Sequence, residues 1–435
     1  MRIAGPCLLV AALCSVAAAD PKMLKGPYLQ DLAPNSITVM WQLDEPTAAR
    51  LVVEGPEGEK AQEVSSARIA EARIENLAPA TRYRYRVEVG TEVWRGEFAT
   101  APEVGAEVPF SFVVVGDTRY SLDAHRRVVE RMAQEVPDFV LGTGDMVDEG
   151  HRQDQWQQFF DVENEMLRDN VYFPAVGNHD RQGRGRTADT YRSYFSVPEN
   201  GGENERYYAF SYATSRFLVL DSNEYSFALT DQTAWIEREL VAARQDSSVR
   251  HIFVVMHHPP FSVSLHGGNR DLRERWTPLF EKYQVTTVFS GHDHVYTRAE
   301  HNGLRYFVSG GGGAPLYPRR PKSAAIDVAA VKKFERVFHY LRVMVTGNRI
   351  EVTGIRADGT TIETTSWTEG PAPVTEPVKT VASVPAAGGG AGPAATIAAP
   401  NASRVPEPRS VLWIGLVGMG LLLAAAVGVV RTLRR

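Results

Sequence analysis

The sequence is short of cysteine and of net positive charge, and each shortage excludes a class of protein. Its 435 residues contain two cysteines, Cys7 and Cys14, both close to the amino terminus. This excludes a disulfide-stabilised scaffold, a cysteine-based zinc site and a catalytic thiol in the body of the chain. The formal net charge is −5. The chain therefore lacks the excess of basic residues that is typical of nucleic-acid-binding proteins, and no nucleic acid partner is expected.

Histidine is confined to the middle of the chain. All 11 histidines lie between His125 and His339. The length suits two or three domains, and 43% hydrophobic residues is an ordinary share for a globular protein. Any histidine chemistry therefore belongs to a single domain.

Both ends of the chain carry the patterns of targeting segments. Arg2, an apolar run from Cys7 to Val16 and three alanines predict a secretory signal peptide over residues 1–19. Val411–Val430 is an uncharged stretch of 20 residues followed by three arginines, which predicts a transmembrane helix over 411–430. The arginines place its carboxyl end in the cytoplasm and the body of the chain outside it.

The stretch before that helix is compositionally biased. Residues 371–408 include 22 Pro, Gly or Ala among 38 residues and no aromatic, which predicts a disordered linker over 367–408. The run Val405–Pro408, the apolar helix and the arginines together resemble the PEP-CTERM sorting signal of Gram-negative bacteria, here over 405–435. The resemblance implies processing by an exosortase-type enzyme and release to the cell surface or extracellular matrix. A plain membrane anchor stays as the alternative.

The sequence predicts an all-β domain over residues 20–104. Segments such as Ile37–Trp41, Ala49–Val53 and Tyr83–Val89 alternate apolar and polar residues between Gly/Pro turns. The residues that resemble a fibronectin type III sandwich are Trp41 and the tyrosine-corner set Leu77, Pro79, Thr81 and Tyr83. Gly26–Gln30 resembles the start of the amino-terminal domain of purple acid phosphatases.

From Pro109 the pattern changes to an α/β fold, predicted over 105–366. Short apolar strands such as Phe110–Val115 and His251–Met256 alternate with amphipathic helices such as Asp123–Gln134 and Leu272–Tyr283. In such folds ligands bind beyond the carboxyl ends of the strands.

Polar clusters stand at those strand ends. Five follow strands in order: Gly116–Arg119, Gly144–Asp148, Gly177–Asp180, His257–Pro260 and Gly291–His294. Oxygen and imidazole donors without thiolate suit borderline or hard metal ions. In this order the clusters resemble the calcineurin-like metallophosphoesterase superfamily, and most closely its purple acid phosphatase branch, over about residues 24–365. The resemblance implies a metallophosphoesterase β-sandwich with flanking helices, preceded by the all-β fibronectin type III-like sandwich.

The resemblance also implies two metal ions, whose identity stays open among Fe, Mn, Zn and Ca. The implied ligands are Asp117 and His294 for the first metal, Asp145 bridging both metals, and Asn178, His257 and His292 for the second. His179 is implied as a general acid for the leaving group or a donor to the phosphate.

Two positions depart from the family pattern. Most of the superfamily has Asp-x-His at the first motif, where this chain has Arg119. Purple acid phosphatases have a tyrosine three residues after the bridging aspartate, where this chain has Asp148. The first metal therefore lacks one ligand, for which His125 is the expected replacement and Asp148 the alternative. Arg119 is then expected to face substrate phosphate, and His266 to lie in the cleft.

The resulting hypothesis is an exported two-metal phosphoesterase, a phosphomonoesterase or phosphodiesterase. It would hydrolyse phosphate esters through attack by a hydroxide that bridges the metals. The expected location is the periplasmic side of the inner membrane, with release after carboxyl-terminal processing. The alternative is a catalytically weak or inactive surface protein that associates with exopolysaccharide.

Overall fold

The computed structural model describes residues 21–182, 187–201, 206–223 and 229–369. These residues belong to one compact unit, which spans 1–378. The signal peptide expected over 1–19, the helix over 411–430 and nearly all of the linker lie outside the described residues. Within the described ranges, no helix is long and apolar enough to cross a membrane.

The amino-terminal part is an all-β module. Its strands are β1 (Met23–Ala33), β2 (Ser36–Gly55), β3 (Gly58–Ile74), β4 (Arg82–Val89) and β5 (Glu92–Ala99). The strand order is β1-β2-β4-β5, with β3 paired along β2. The two predicted strands Ile37–Trp41 and Ala49–Val53 are parts of the single strand β2, whose register with β3 shifts between Gln42 and Ala49.

Aromatic residues fix the core of this module. Trp41 is fully buried, and the Tyr83 ring stacks on Phe98 with ring centroids 5.4 Å apart. The Tyr83 hydroxyl accepts a hydrogen bond from the Ala78 amide at 2.8 Å. This is the bond by which a tyrosine corner ties a strand to the backbone a few residues upstream. The fibronectin type III assignment stays a prediction.

The second part is a sandwich of two sheets. Its strands are β6 (Phe110–Val115), β7 (Phe139–Gly142), β8 (Val171–Pro174), β9 (Tyr208–Tyr212), β10 (Ser215–Leu220), β11 (His251–Met256), β12 (Thr287–Ser290), β13 (Tyr296–His301), β14 (Leu304–Ser309), β15 (Val331–Glu335), β16 (His339–Thr346), β17 (Arg349–Arg356) and β18 (Thr361–Thr368). One sheet has the order β18-β17-β16-β6-β7-β8, and the other β15-β13-β14-β12-β11-β10-β9. The predicted α/β sandwich class is confirmed.

The two sheets pack face to face through phenylalanine rings. The Phe112 ring of one sheet meets the Phe217 and Phe253 rings of the other, with centroids 5.4 and 5.5 Å apart. These rings are fully buried. Burial of several aromatic side chains between the sheets supplies much of the hydrophobic stabilisation of the domain.

Helices cover the outer faces of the sandwich. They are α1 (Leu122–Gln134), α2 (Gln153–Asp169), α3 (Asp189–Tyr194), α4 (Leu229–Gln245), α5 (Arg270–Arg275), α6 (Thr277–Lys282) and α7 (Ala325–Ala330). The single helix predicted over Leu272–Tyr283 is wrong. Its residues belong to α5 and α6, and the chain is interrupted at Trp276, two residues before Pro278 in the first turn of the second helix.

Parallel strands bring the polar clusters together. Strands β6, β7 and β8 run parallel in one sheet, and β10, β11, β12 and β14 run parallel in the other. The clusters therefore come from two facing sheets. Their carboxyl ends meet at the same end of the sandwich, where the site lies.

A buried histidine far from that site makes stability depend on pH. His251 is fully buried, its Nε2 lies 2.7 Å from the Gly347 carbonyl oxygen, and its Nδ1 has no hydrogen-bond partner among the described residues. Burial lowers the pKa of His251 to about 4. The unfolded chain therefore binds a proton between about pH 6.5 and 4 that the folded chain does not, and stability falls as the pH falls through this window.

We expect His251→Gln, which can keep the donor to Gly347, to remove this dependence. The free energy of unfolding of the unmodified chain should fall by about 2 kcal/mol more than that of the variant between pH 7.5 and 5. Urea titrations at both pH values measure the difference. Parallel pH profiles for the two proteins would contradict the assignment.

Candidate metal centre

The strand-end clusters form sharp turns. Asp117, Asp145 and His292 have φ values of 55°, 57° and 67°, in the left-handed region that residues other than glycine seldom adopt. Each turn directs a polar side chain back over the end of its strand. Such backbone conformations concentrate at functional sites, where the surrounding packing holds them in place.

Glycines next to these residues provide room for the carboxylates. A Cβ atom on Gly177 would lie 2.2 Å from the Asp145 Oδ1 atom, and one on Gly291 would lie 2.5 Å from the Asp117 Oδ2 atom. The sequence analysis did not predict this close approach of backbone to carboxylate. Backbone amides fill the space, since the His292 amide donates to Asp117 at 2.8 Å and the His179 amide to Asp145 at 2.9 Å.

The residues expected to bind the second metal lie together. The Asn178 Oδ1 atom is 3.0 Å from His257 Nε2 and 3.0 Å from His292 Nδ1. The two histidine nitrogens are 3.2 Å apart, and His257 Nε2 is 3.3 Å from Asp145 Oδ1. Three potential metal-binding atoms, Asn178 Oδ1, His292 Nδ1 and Asp145 Oδ1, thus lie within 3.3 Å of His257 Nε2.

A hydrogen bond on the far side of the His257 ring leaves its other nitrogen available to a cation. His257 Nδ1 donates to the Thr143 carbonyl at 2.8 Å, which directs the Nε2 lone pair at Asn178 and Asp145. Burial disfavours a charge on His257, but the Asp145 carboxylate outweighs it and raises the pKa of His257 to about 9. The cluster therefore demands a positive charge at this place, which a proton or a metal ion can provide.

The residues expected at the first metal are also adjacent. His294 Nε2 lies 3.4 Å from Asp117 Oδ1, and His294 Nδ1 donates to the Pro315 carbonyl at 2.7 Å. Asp117 Oδ1 and Asp145 Oδ2 are buried without a hydrogen-bond partner among the described residues. Unpartnered buried carboxylate oxygens facing an imidazole lone pair fit a bound metal ion.

His125 lies away from these atoms. Its Nε2 is 2.8 Å from the Glu163 Oε1 atom on α2, and its ring stacks near Phe159 with centroids 5.9 Å apart. Both members of the His125–Glu163 pair are buried. The expectation that His125 replaces the missing ligand is therefore not supported. The His125 imidazole on α1 points toward α2, where its Nε2 is hydrogen-bonded to the Glu163 carboxylate.

Asp148 connects two predicted site residues. Its Oδ1 atom accepts a hydrogen bond from Arg119 Nη1 at 3.0 Å and lies 3.3 Å from His179 Nδ1. The backbone carbonyl of Asp148 lies 2.7 Å from the same nitrogen. The alternative that Asp148 binds the first metal would require it to leave Arg119.

Arg119 and His266 differ in their surroundings. Arg119 is only 7% exposed and lies beside the carboxylates of Asp145 and Asp148. That Arg119 faces substrate phosphate stays a prediction. The His266 side chain is exposed and lines a cavity of 430 Å³ beside the site, with its ring 4.3 Å from that of His292. The cavity is also lined by Asn178, Arg181, Asn223 and His258.

His258 is a further candidate that the sequence analysis quoted without a role. Its metal-binding nitrogen, one of His257 and one of His292 all lie within 4.8 Å of one another. The Ser222 Oγ atom anchors it, at 3.0 Å from His258 Nδ1. Ser222 follows β10 directly, so the strand-end criterion used for the other clusters would have found this loop.

Asp180 fastens two of the clusters to each other. Its fully buried carboxylate accepts hydrogen bonds from the amides of Gly177, Asp145 and Met146 at 2.7 to 2.8 Å. Burial, together with the neighbouring Asp145 charge, raises the pKa of Asp180. Asp180 therefore sets the distance between Asp145 and the Asn178 loop.

A family comparison agrees with this arrangement. Residues 110–296 match the calcineurin-like phosphoesterase family. The match begins with β6, ends with the first residue of β13 and contains all five clusters. It covers less than half of the chain.

The chain also has relatives among named phosphatases. An uncharacterized protein of Mycobacterium tuberculosis is 31% identical over 273 residues, 53% of this chain and 51% of that protein. A purple acid phosphatase of Glycine max is 27% identical, over 61% of this chain and 59% of its own. An Fe(3+)-Zn(2+) purple acid phosphatase of Arabidopsis thaliana is 25% identical over 56% of this chain and 55% of its own. The matched stretch thus spans little more than half the length of these relatives.

Solved structures share the fold. A purple acid phosphatase from yellow lupin (Lupinus luteus) seeds has a TM-score of 0.67 at 19% identity, covering 79% of this chain and 74% of its own. The structure of PhoD has a TM-score of 0.61 at 14% identity, and the match covers 81% of this chain and 90% of PhoD. The similarity to these structures includes the calcineurin-like sandwich, and it concerns the fold alone.

We expect Asp180→Asn to weaken metal binding, because an amide group would face backbone N–H donors and loosen both loops. The affinity for Zn²⁺ should fall about 10- to 100-fold, and stability by roughly 1–3 kcal/mol. Equilibrium dialysis and urea unfolding measure the two effects.

Glu163→Gln is the matched control, because it also neutralises a buried carboxylate of this domain. It should lower stability and leave Zn²⁺ affinity unchanged. Equal losses of Zn²⁺ affinity in both variants would show that Asp180 has no special role in the site, and would favour His125 and Glu163 as part of it.

Proposed function

We propose that this chain is a metal-dependent phosphoesterase with a two-metal centre, hydrolysing phosphomonoesters or phosphodiesters. The observation that carries the proposal is the convergence of Asn178 Oδ1, His257 Nε2 and Asp145 Oδ1 within 3.0 to 3.3 Å, beside the Asp117 and His294 pair. Two bound metal ions would stabilise the charge on the phosphoryl oxygens and lower the pKa of a bound water.

The chain's own residues supply the remaining chemistry. His179 is about one-third exposed, and its Nδ1 is committed to the Asp148 carbonyl. Its Nε2 is therefore the atom that exchanges a proton with the cleft, 4.0 Å from Asp145 Oδ2. A protonated His179 can donate to the oxygen that leaves the phosphorus.

The cavity lining indicates how the alcohol part of the substrate is held. His266, Asn223 and Arg181 offer polar contacts around the opening next to His292. Hydrogen-bond donors at this wall would orient an ester whose leaving group carries oxygen atoms. The substrate itself stays open, as does the choice of metals.

The competing function is a surface protein that binds polysaccharide through the all-β module without catalysis. That function needs no metal, whereas one buried carboxylate oxygen each of Asp117 and Asp145 accepts no hydrogen bond within the described part of the chain, which favours a metal. Measured metal content separates the two functions.

We expect the purified chain to contain close to two metal equivalents and to release phosphate from p-nitrophenyl phosphate. His292→Ala should lose about one equivalent and most of the activity, because it removes a donor from one metal only. Elemental analysis and phosphate release measure both. The control is His301→Ala. His301 is the last residue of β13, and its ring contacts Phe261 outside the site. A His292→Ala protein with full metal content and unchanged turnover would contradict the assignment.

His179→Asn should keep both metals and slow the hydrolysis of alkyl phosphates more than that of activated aryl phosphates. Poor leaving groups need the proton that His179 donates, whereas nitrophenolate does not. The ratio of kcat for the two substrate types measures this. Equal losses for both would argue for a purely electrostatic role of His179.

We also propose that the enzyme is exported and acts outside the cytoplasm, at the cell surface or in the extracellular matrix after exosortase-type processing. The support is the residue pattern of 1–19 and 405–435. Fractionation of cells that express the chain, followed by mass analysis of the released protein, tests both export and cleavage. Retention of the whole chain in the cytoplasmic fraction would contradict the proposal.

A further inference from the structure

Arg119 stands where the family pattern has a metal-binding histidine, and its guanidinium reaches the residues expected at the first metal. Its Nη2 atom donates to His294 Nε2 at 3.2 Å, and its Nε atom lies 3.3 Å from Asp145 Oδ2. Its Nη1 atom donates to Asp148 at 3.0 Å. A permanent cation therefore lies among the atoms expected to bind a metal.

The contact with His294 is the important one. Because His294 Nδ1 donates to the Pro315 carbonyl, Nε2 is the nitrogen with a lone pair for a metal. That lone pair accepts a hydrogen bond from Arg119. A metal ion at the first position must therefore break this bond and tolerate a positive charge beside it.

The second position has no such competitor among the described residues. Within the described ranges, two groups of His, Asp or Glu are close enough to hold a metal. One is His257, His258 and His292, the other is Asp117, Asp145 and His257, and neither contains His294. Asn178, His257 and His292 meet without an arginine between them. The two positions thus differ in charge although they share Asp145.

The guanidinium pairs with the first position in charge without completing its hydrogen bonds. Arg119 Nε lies 3.3 Å from Asp145 Oδ2, yet neither of these atoms, nor Asp117 Oδ1, makes a hydrogen bond among the described residues. A cavity of 170 Å³ beside Arg119, lined by Tyr120, Asp148 and Gln155, gives the side chain a place to move. The Tyr120 ring already lies 5.1 Å from the guanidinium carbon.

We propose that Arg119 acts as a built-in cation that weakens metal binding at the Asp117–His294 position, so that the two positions fill in sequence. The Asp145–Asn178–His257–His292 position fills first. The second ion enters only when the guanidinium leaves His294 and turns toward Asp148 and Tyr120. The inference rests on the proposed two-metal centre and concerns how that centre is loaded.

Titration of the metal-free 435-residue chain with Mn²⁺ tests the inference. The unmodified chain should bind one Mn²⁺ about tenfold or more tightly than the next. At one equivalent, electron paramagnetic resonance should show isolated ions, and at excess Mn²⁺ it should show coupled pairs. Arg119→Gln should raise the weaker affinity by about tenfold, so that coupled pairs form at lower Mn²⁺ concentration.

Two further variants identify the cause. Arg119→Lys keeps the positive charge and should keep the weaker affinity low, whereas His294→Ala should abolish the weak step and leave the tight one. Circular dichroism confirms that each variant is folded. If Arg119→Gln cannot be purified folded, Arg119→Met, which also removes the charge, is titrated in its place with the same expected result.

The inference is overturned if the unmodified chain fills both positions with equal affinity, or if a folded Arg119→Gln protein has unchanged constants. Either result leaves the proposed phosphoesterase function in place. Sequential filling without any phosphate release would instead overturn that function and keep the inference. A chain that binds none of Mn²⁺, Zn²⁺, Fe and Ca²⁺ overturns both.

Discussion

The site depends on buried carboxylates and histidine rings that lie close together at one end of the sandwich. Asp117 and Asp145 are fully buried, and each keeps an oxygen without a hydrogen-bond partner among the described residues. Buried carboxylates are unfavourable unless cations or N–H donors compensate them. The backbone amides of His179 and His292, the protonatable His257 and the guanidinium of Arg119 provide part of that compensation. The negative charge that these groups leave uncompensated favours the binding of metal ions.

The fold makes this concentration of charge tolerable. Two sheets bring the carboxyl ends of β6, β7, β8, β11 and β12 to one end of the domain, while phenylalanine rings between the sheets hold the strands in register. Asp180 ties the Asp145 turn to the Gly177 turn through three amides, so Asp145 and the Asn178 loop keep a fixed separation. The strained turns at Asp117 and Asp145 persist because the surrounding contacts determine them.

Arg119 links the electrostatics of the site to the departure of the sequence from the family pattern. Loss of a histidine at this position removes one donor and adds one positive charge close to Asp145, Asp148 and His294. Through Asp148 the guanidinium also contacts the environment of His179. The same side chain therefore contacts a residue expected at the first metal and, through Asp148, the residue proposed as proton donor.

The sequence alone determined the fold class and the set of chemical groups. Strand periodicity predicted Phe110–Val115 and His251–Met256 with the bounds that the structure has, because buried parallel strands are continuous apolar runs. The order of the clusters predicted which side chains would converge. The partners of each side chain were decided by tertiary structure, since they lie far apart in the chain. Only the packing of α1 against α2 pairs His125 with Glu163, and only the approach of the two sheets brings Arg119 to His294, 175 residues away. Local pattern fixes which face of a strand or helix a residue occupies, but contacts across sheets depend on how whole elements pack.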